Sequence, residues 1–168
     1  MNEQNTKEKL MDAARLEFSE KGFKGASLRS ICHKADVTTG ALYFFFLNKE
    51  DLFSQVIGNV VDEFESLMVD QSIEGRKKCN QFLCDHVKEM RMILIGAKGT
   101  DFEHVADDLK RVVENSICTR LKIEDAQWIH VLAEMQLKAY EEVLVHDYSY
   151  ERRIELMGKV DSVFQSYL

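Results

Sequence analysis

Apolar residues recur along the chain at intervals of three and four, the spacing of one helical face. A first helix carries Leu10, Ala14 and Phe18 on one side; it is predicted to begin at a capping box of Asn5 and Glu8 and to stop at Gly22, where Phe23 can close a Schellman end. Ser27 caps a short second helix with Leu28, Ile31, Cys32 and Ala35, and Thr38 caps a third through Tyr43. Asn48, with Asp51 three residues on, opens a long fourth helix. There Leu52, Val56, Val60 and Phe64 recur at four-residue steps beside Phe53, Ile57, Val61 and Met68, a stripe wide enough to touch two neighbours. Beyond Gln71 the pattern resumes through Phe82, Leu83, Val87, Met90 and Leu94 and ends at Gly96 and Gly99. Thr100 with Glu103 is a further capping box, starting a helix with Phe102, Val105, Leu109, Val112 and Val113. Residues from about 124 to 146 form a helix apolar on two sides, and a last helix from about 150 to 167 repeats Ile154, Met157, Asp161 and Phe164. The expected fold class is all-α.

Composition sharpens that expectation. The 168 residues contain no proline, where average usage of about 5% would give about eight. Helix interiors are where proline costs most, so little of the chain is left for loops. The net charge is −7, yet it is unevenly spread. Residues 1–50 hold eight Lys/Arg against seven Asp/Glu, a balance of +1, and the remainder carries −8. The first fifty residues can therefore approach a polyanion that the rest repels. Cys32, Cys79, Cys84 and Cys118 show no paired short spacing and read as small buried hydrophobes. Cys79 and Cys84 point about 140° apart on a helix, a poor chelate. The five histidines are scattered, and no nucleophile triad, phosphate loop or zinc motif occurs, so no catalytic residue, metal or cofactor is expected and the chain does not read as an enzyme. Met1 to Lys9 is polar, and no apolar run approaches eighteen residues. The expectation is a cytoplasmic protein with no membrane segment.

Two short helices joined by a tight turn and backed by a supporting helix make the helix-turn-helix pattern. Several residues have roles in it that follow from their chemistry. Gly40 has no side chain, so the start of the third helix can come close to DNA. Ser27 and Thr38 stand at helix N-termini, where amides and a hydroxyl can hold phosphate oxygens. Lys49 lies in a first helical turn, poorly placed against the macrodipole, which points to an external anion. Tyr43 can offer its hydroxyl to the DNA backbone. Arg29 suits guanine, while Thr39, Ala41 and Leu42 can touch a thymine methyl; Leu42 and Tyr43 also fit a plain core role. Asp36 at the turn tolerates the left-handed conformation.

Leu10, Ala13, Ala14, Phe18, Gly22, Phe23, Ser27, Leu28, Ile31, Ala35, Val37, Thr38, Gly40, Leu42, Tyr43, Phe46, Lys49, Glu50 and Leu52 resemble the N-terminal signature of TetR-family transcriptional regulators, over about residues 6–55. The resemblance implies a helix-turn-helix head at 1–47 and a helical effector-binding and dimerisation domain at 48–168. It implies a repressor released from a double-stranded DNA operator by a small molecule. Phe44, Phe45 and Leu47 depart from the family's polar pattern; they either weaken the DNA grip or serve another partner. The alternative is therefore a helical interaction module whose head no longer binds DNA.

For the body, Phe82, His86, Met90, Phe102 and Trp128 are the candidate lining of a pocket for a small apolar effector. Unpartnered second sides on the last two helices, with Leu137, Tyr140, Leu144, Ile154, Met157, Gly158 and Phe164, point to a homodimer.

Overall fold

The computed structural model describes residues 3–165, and among them ten helices and no strand are present. They are α1 (Glu3–Gly25), α2 (Leu28–Ala35), α3 (Thr39–Phe45), α4 (Lys49–Ile57), α5 (Val60–Met68), α6 (Ile73–Asp85), α7 (Val87–Leu94), α8 (His104–Leu121), α9 (Ala126–Val145) and α10 (Tyr150–Gln165). The all-α expectation holds. Residues 166 and 167 of the expected last helix lie outside the described residues.

Several boundaries move. Asn5 lies inside α1, not at its cap, and Glu8 takes the Gln4 side-chain amide at 2.9 Å. The fourth helix is not continuous: Gly58, at φ 58° and ψ −132°, ends α4, and α5 starts two residues later. Periodicity survives such a break because both pieces bury the same stripe, with Leu52, Phe53, Val56 and Ile57 before it and Val61, Phe64 and Met68 after. A second break at His86 separates α6 from α7. Helix α8 begins at His104, since Thr100 and Glu103 organise a turn ahead of it. There the Thr100 hydroxyl donates to the Ala97 carbonyl at 2.7 Å, and the Glu103 carboxylate accepts from the Gly99 amide at 2.9 Å.

Helix α1 packs on both α4 and α7, and its backbone comes closest to the end of α7 at one turn. Gly22 interrupts α1 with φ 65° and ψ 174°, which lets the chain turn without a Cβ penalty. The Phe23 amide then donates to the Gly96 carbonyl at 2.8 Å, so it docks on the end of α7 instead of closing a Schellman motif. A Cβ on Gly96 would lie 2.9 Å from the Gly22 Cα and 3.1 Å from the Met92 carbonyl oxygen. Around this contact Phe18, Phe23, Phe53 and Phe102 form a chain of ring contacts with centroid separations from 4.9 to 6.2 Å. Arg15 of α1 pairs with Glu89 of α7 at 2.8 Å. One hydrophobic cluster runs from Leu10 through Leu52 and Met90 to Met157, and a smaller one joins α8, α9 and α10 around Ile117, Ala133 and Phe164.

The expected dimer face is corrected by this packing. Tyr140, Leu144, Met157 and Phe164 are buried within the chain, and Leu137 and Ile154 are half-buried against the same core. Periodicity alone puts their phase on the outside as readily as the inside, because an apolar helix carries no label for which side meets its own chain. Of the seven candidates only Gly158 is exposed. Outward apolar positions of α9 include Trp128, Val131, Met135 and Val145, with Tyr150 and Val163 on α10. Cys32 and Cys84 are buried as expected and Cys79 is half-buried, whereas Cys118 is exposed. Burial pushes the Cys79 and Cys84 thiols up to about 11.

Two glycine substitutions separate joint from surface. Gly96→Ala forces backbone apart at the joint and is expected to cost about 1–3 kcal/mol. A Cβ on Gly158 would meet nothing within 4 Å, so Gly158→Ala is expected to gain about 0.5–1 kcal/mol from helix propensity. Denaturant unfolding of both variants measures the two signs.

Candidate functional site

Helix α2 ends at Asp36, whose left-handed φ of 54° and ψ of 49° let its amide reach the Cys32 and His33 carbonyls. The chain turns there. Thr38 caps α3 as expected, its hydroxyl accepting from the Ala41 amide at 3.2 Å. Behind α3, Leu42 and Phe46 are buried and fix the helix to the core. Its outward face presents Thr39, Gly40, Tyr43 and Phe44, and Ser27 and Arg29 are exposed on and beside the first turn of α2. Thr38 is exposed beside them.

Two expected DNA contacts are corrected. Leu42 is 0% exposed and cannot reach a base edge, because it is the residue that anchors the recognition helix. Lys49 turns inward: its ammonium donates to the Phe23 carbonyl at 2.8 Å and the Ala26 carbonyl at 3.2 Å, and lies 4.5 Å from the centre of the Phe23 ring. The anion it answers is the carbonyl end of the α1 turn, not a phosphate. In the other direction, Phe44 is 70% exposed on the same face as Gly40 and Tyr43, and Leu47 is 84% exposed just beyond α3. Phe44 is thus an outward-facing aromatic residue of α3, in line with Gly40 and Tyr43.

The head is stiffened by a buried carboxylate. Glu17 of α1 is fully buried and accepts from Lys21 at 2.8 Å, Lys34 at 2.9 Å, the Ser30 hydroxyl at 2.9 Å and the Ser27 amide at 3.4 Å. Burial alone would raise its pKa, but these donors together hold the carboxyl down at about 2. Glu17 thus ties α1 to the N-terminus of α2 and takes up part of the Ser27 amide's capacity for phosphate.

A cavity of about 50 Å³, partly open to solvent, lies between α5, α6, α8 and α9. Phe64, Met68, Leu83 and Leu109 supply apolar wall, while Arg76, Ser116, Arg120, Gln136 and Tyr140 bring polar groups. None of the five expected lining residues is among those that form it. Phe82 is packed on Phe64 and His86, Met90 is core, and Phe102 belongs to the head–body joint. Trp128 is 42% exposed on the outside of α9. Beside the cavity, Asp161 of α10 is buried and accepts from Asn80 of α6 at 2.7 Å and from Gln136 of α9 at 3.3 Å, as well as from the Tyr140 hydroxyl. Three helices are stitched by that one carboxylate, which stands at a position the apolar repeat includes.

Residues 10–56 match the family model of the tetR family of bacterial regulatory proteins. The chain is 41% identical over 54 residues to the HTH-type transcriptional regulator UidR of Escherichia coli (strain K12), an alignment covering 32% of this chain and 28% of that protein. It is 32% identical over 78 residues to the HTH-type transcriptional regulator HbdR of Aromatoleum sp. (strain CIB), covering 46% of this chain and 34% of the relative. The matched stretch spans about a third of these curated relatives. Among solved structures, a TetR-like transcriptional regulator from Rhodococcus sp. RHA1 superposes with a TM-score of 0.65 at 18% identity, over 97% of each chain. FadR of Bacillus subtilis in complex with stearoyl-CoA gives 0.58 at 15% identity, over 95% of this chain and 98% of that one. At such identities the likeness is one of fold. No helix among the described residues is long and apolar enough to cross a membrane.

The Glu17 network makes a pH prediction. Glu17→Gln is expected to lower stability by about 2 kcal/mol at neutral pH, since it leaves Lys21 and Lys34 without their buried partner. Because the folded pKa is depressed, the wild-type advantage is complete above pH 4.5 and is lost as pH falls toward 2. Denaturant midpoints of the two proteins, compared from pH 7 to pH 3, should converge on acidification; a constant gap would contradict the assignment.

Proposed function

We propose that the chain is a DNA-binding transcriptional regulator of the cytoplasm, a repressor whose body binds a small molecule that releases the head from its operator; the match of residues 10–56 to the tetR family of bacterial regulatory proteins supports this reading. The division is a head at 1–47 and an effector and dimerisation domain at 48–168. The observation that carries this reading is the outward face of α3, with Thr38, Thr39, Gly40 and Tyr43 exposed while Leu42 and Phe46 hold the helix from behind. Arg29 is the exposed fork for a guanine edge, and Ser27, Thr38 and Tyr43 face phosphates. The interaction-module alternative is not favoured, because the curated relatives that the chain matches are transcriptional regulators.

Dimerisation supplies the second half-site that a two-fold operator needs. The surface suited to it is the outward apolar stripe Trp128, Val131 and Met135 of α9, extended by Val163 of α10. A ligand in the body reaches the head through α7, whose end at Gly96 seats Phe23, and through α4, which packs on α1. Movement of either tilts the two recognition helices of a dimer relative to each other.

Selection of bound fragments from the source genome with purified protein tests the reading; enrichment of a two-fold site is expected, and enrichment of nothing overturns it. Within the selected site, Arg29→Ala is expected to cost roughly 1–3 kcal/mol and to relax preference at one position. Lys49→Met should leave the salt dependence of binding unchanged, since its charge is engaged inside the protein, and should instead lower the melting temperature. Combining Trp128→Glu with Met135→Glu is expected to give a monomer in sedimentation with weakened operator binding. Wild-type protein sedimenting as a monomer at micromolar concentration would contradict the dimer.

A further inference from the structure

Four buried polar atoms converge on the body cavity without a protein partner: Arg76 Nε, Ser116 Oγ, Arg120 Nη1 and Gln136 Oε1. Gln136 is 2% exposed and Ser116 7%, while Arg76 and Arg120 are half-buried. Leaving a buried donor or acceptor unmade costs about 1–3 kcal/mol each, and proteins rarely gather several such groups in one place without a use for them. The rest of each side chain is anchored. Arg76 donates through Nη1 to the Gln71 carbonyl at 2.7 Å, Arg120 donates through Nε to the Ser116 carbonyl at 3.1 Å, and the Gln136 amide nitrogen donates to the Tyr140 hydroxyl at 2.8 Å. What remains is aligned and unmet: N–H groups from two guanidiniums, one hydroxyl and one amide oxygen.

The charges point the same way. Neither Arg76 nor Arg120 forms an ion pair among the described residues. Asp161 is the carboxylate beside the cavity, and its oxygens already accept from Asn80, Gln136 and Tyr140. Burial, and then the neighbouring Arg76, push the Arg120 guanidinium down from its ordinary value, with Asp161 opposing them. The apolar wall of Phe64, Met68, Leu83 and Leu109 completes a site with a charged end and an oily end. The enclosed volume of about 50 Å³ admits a carboxylate-sized group, and the cavity opens toward solvent, so a short chain can extend from it.

Resting on the reading of the body as an effector domain, we infer that the effector is a small monocarboxylic acid, its carboxylate held by Arg76, Arg120 and Ser116 and its apolar chain lying among Phe64, Leu83 and Leu109. This refines the small apolar effector expected from the sequence: the composition is acidic, but two guanidiniums line the cavity. Gln136 Oε1 accepts one donor, so a hydroxyl on the acid adds to the fit.

Thermal melting and calorimetric titration of the full chain with butyrate, hexanoate and benzoate, against butanamide, hexanamide and benzamide, test the inference. At least one acid is expected to raise the melting temperature where its amide does not. Arg76→Met and Arg120→Met should each weaken that acid at least tenfold. Arg120→Met should also raise the ligand-free melting temperature, because it replaces a buried charge lacking a counter-ion with an apolar side chain. The inference is overturned if no acid in the series shifts the melt, if amides bind as well as acids, or if the arginine variants bind the acid like the wild type. It is equally overturned if Arg120→Met lowers ligand-free stability, which would make that guanidinium a structural brace. None of these results bears on fragment selection, which tests the regulator reading separately.

Discussion

The close approach of Gly22 and Gly96 is the constraint on which the arrangement of the head depends. Backbone meets backbone there, and the Phe23 amide finishes the contact by donating to the Gly96 carbonyl at 2.8 Å. A side chain on either glycine would separate α1 from the end of α7. Everything near the joint follows from that closeness: Phe23 is carried onto Phe53, Phe53 onto Phe102, and Lys49 can reach over the Phe23 ring to the carbonyls at the α1 turn. The head therefore shares its apolar core with the body, and it can be moved by whatever moves α7.

Two buried carboxylates play contrasting parts in this scheme. Glu17 is saturated with donors and makes the head rigid, which suits an element that must present α3 in one orientation. Asp161 is also saturated, yet it stands beside Arg76 and Arg120, whose free N–H groups it does not meet. The first site is closed by the protein.

Local chemistry is legible in the sequence where a short stretch decides the outcome. Thr38 and Asn48 cap their helices through their side chains, Asp36 takes the left-handed turn, and Gly22 breaks α1. Tertiary choices are not. In a seven-residue helix such as α3, periodicity leaves the phase of Leu42 open, and packing decides that it points inward. Trp128 and Tyr140 both lie in apolar phases of α9, but only contacts with α8 and α10 determine that Tyr140 is buried and Trp128 exposed. Lys49 shows the same limit: a cation in a first helical turn does signal an anionic partner, but the carbonyls that fill the role lie 26 and 23 residues away. The cavity's donors are scattered over α6, α8 and α9, at spacings that match no linear motif.

Native-state hydrogen exchange across a denaturant series tests the central claim, that head and body form one cooperative unit joined at Gly22 and Gly96. Amides of Leu10 to Phe18 in α1 and of Met90 to Ile93 in α7 should merge into a single unfolding isotherm, with the Phe23 amide on it. An isotherm for α1 to α3 lying well below that of α7 would contradict the account, because a head that opens independently cannot be repositioned from the body.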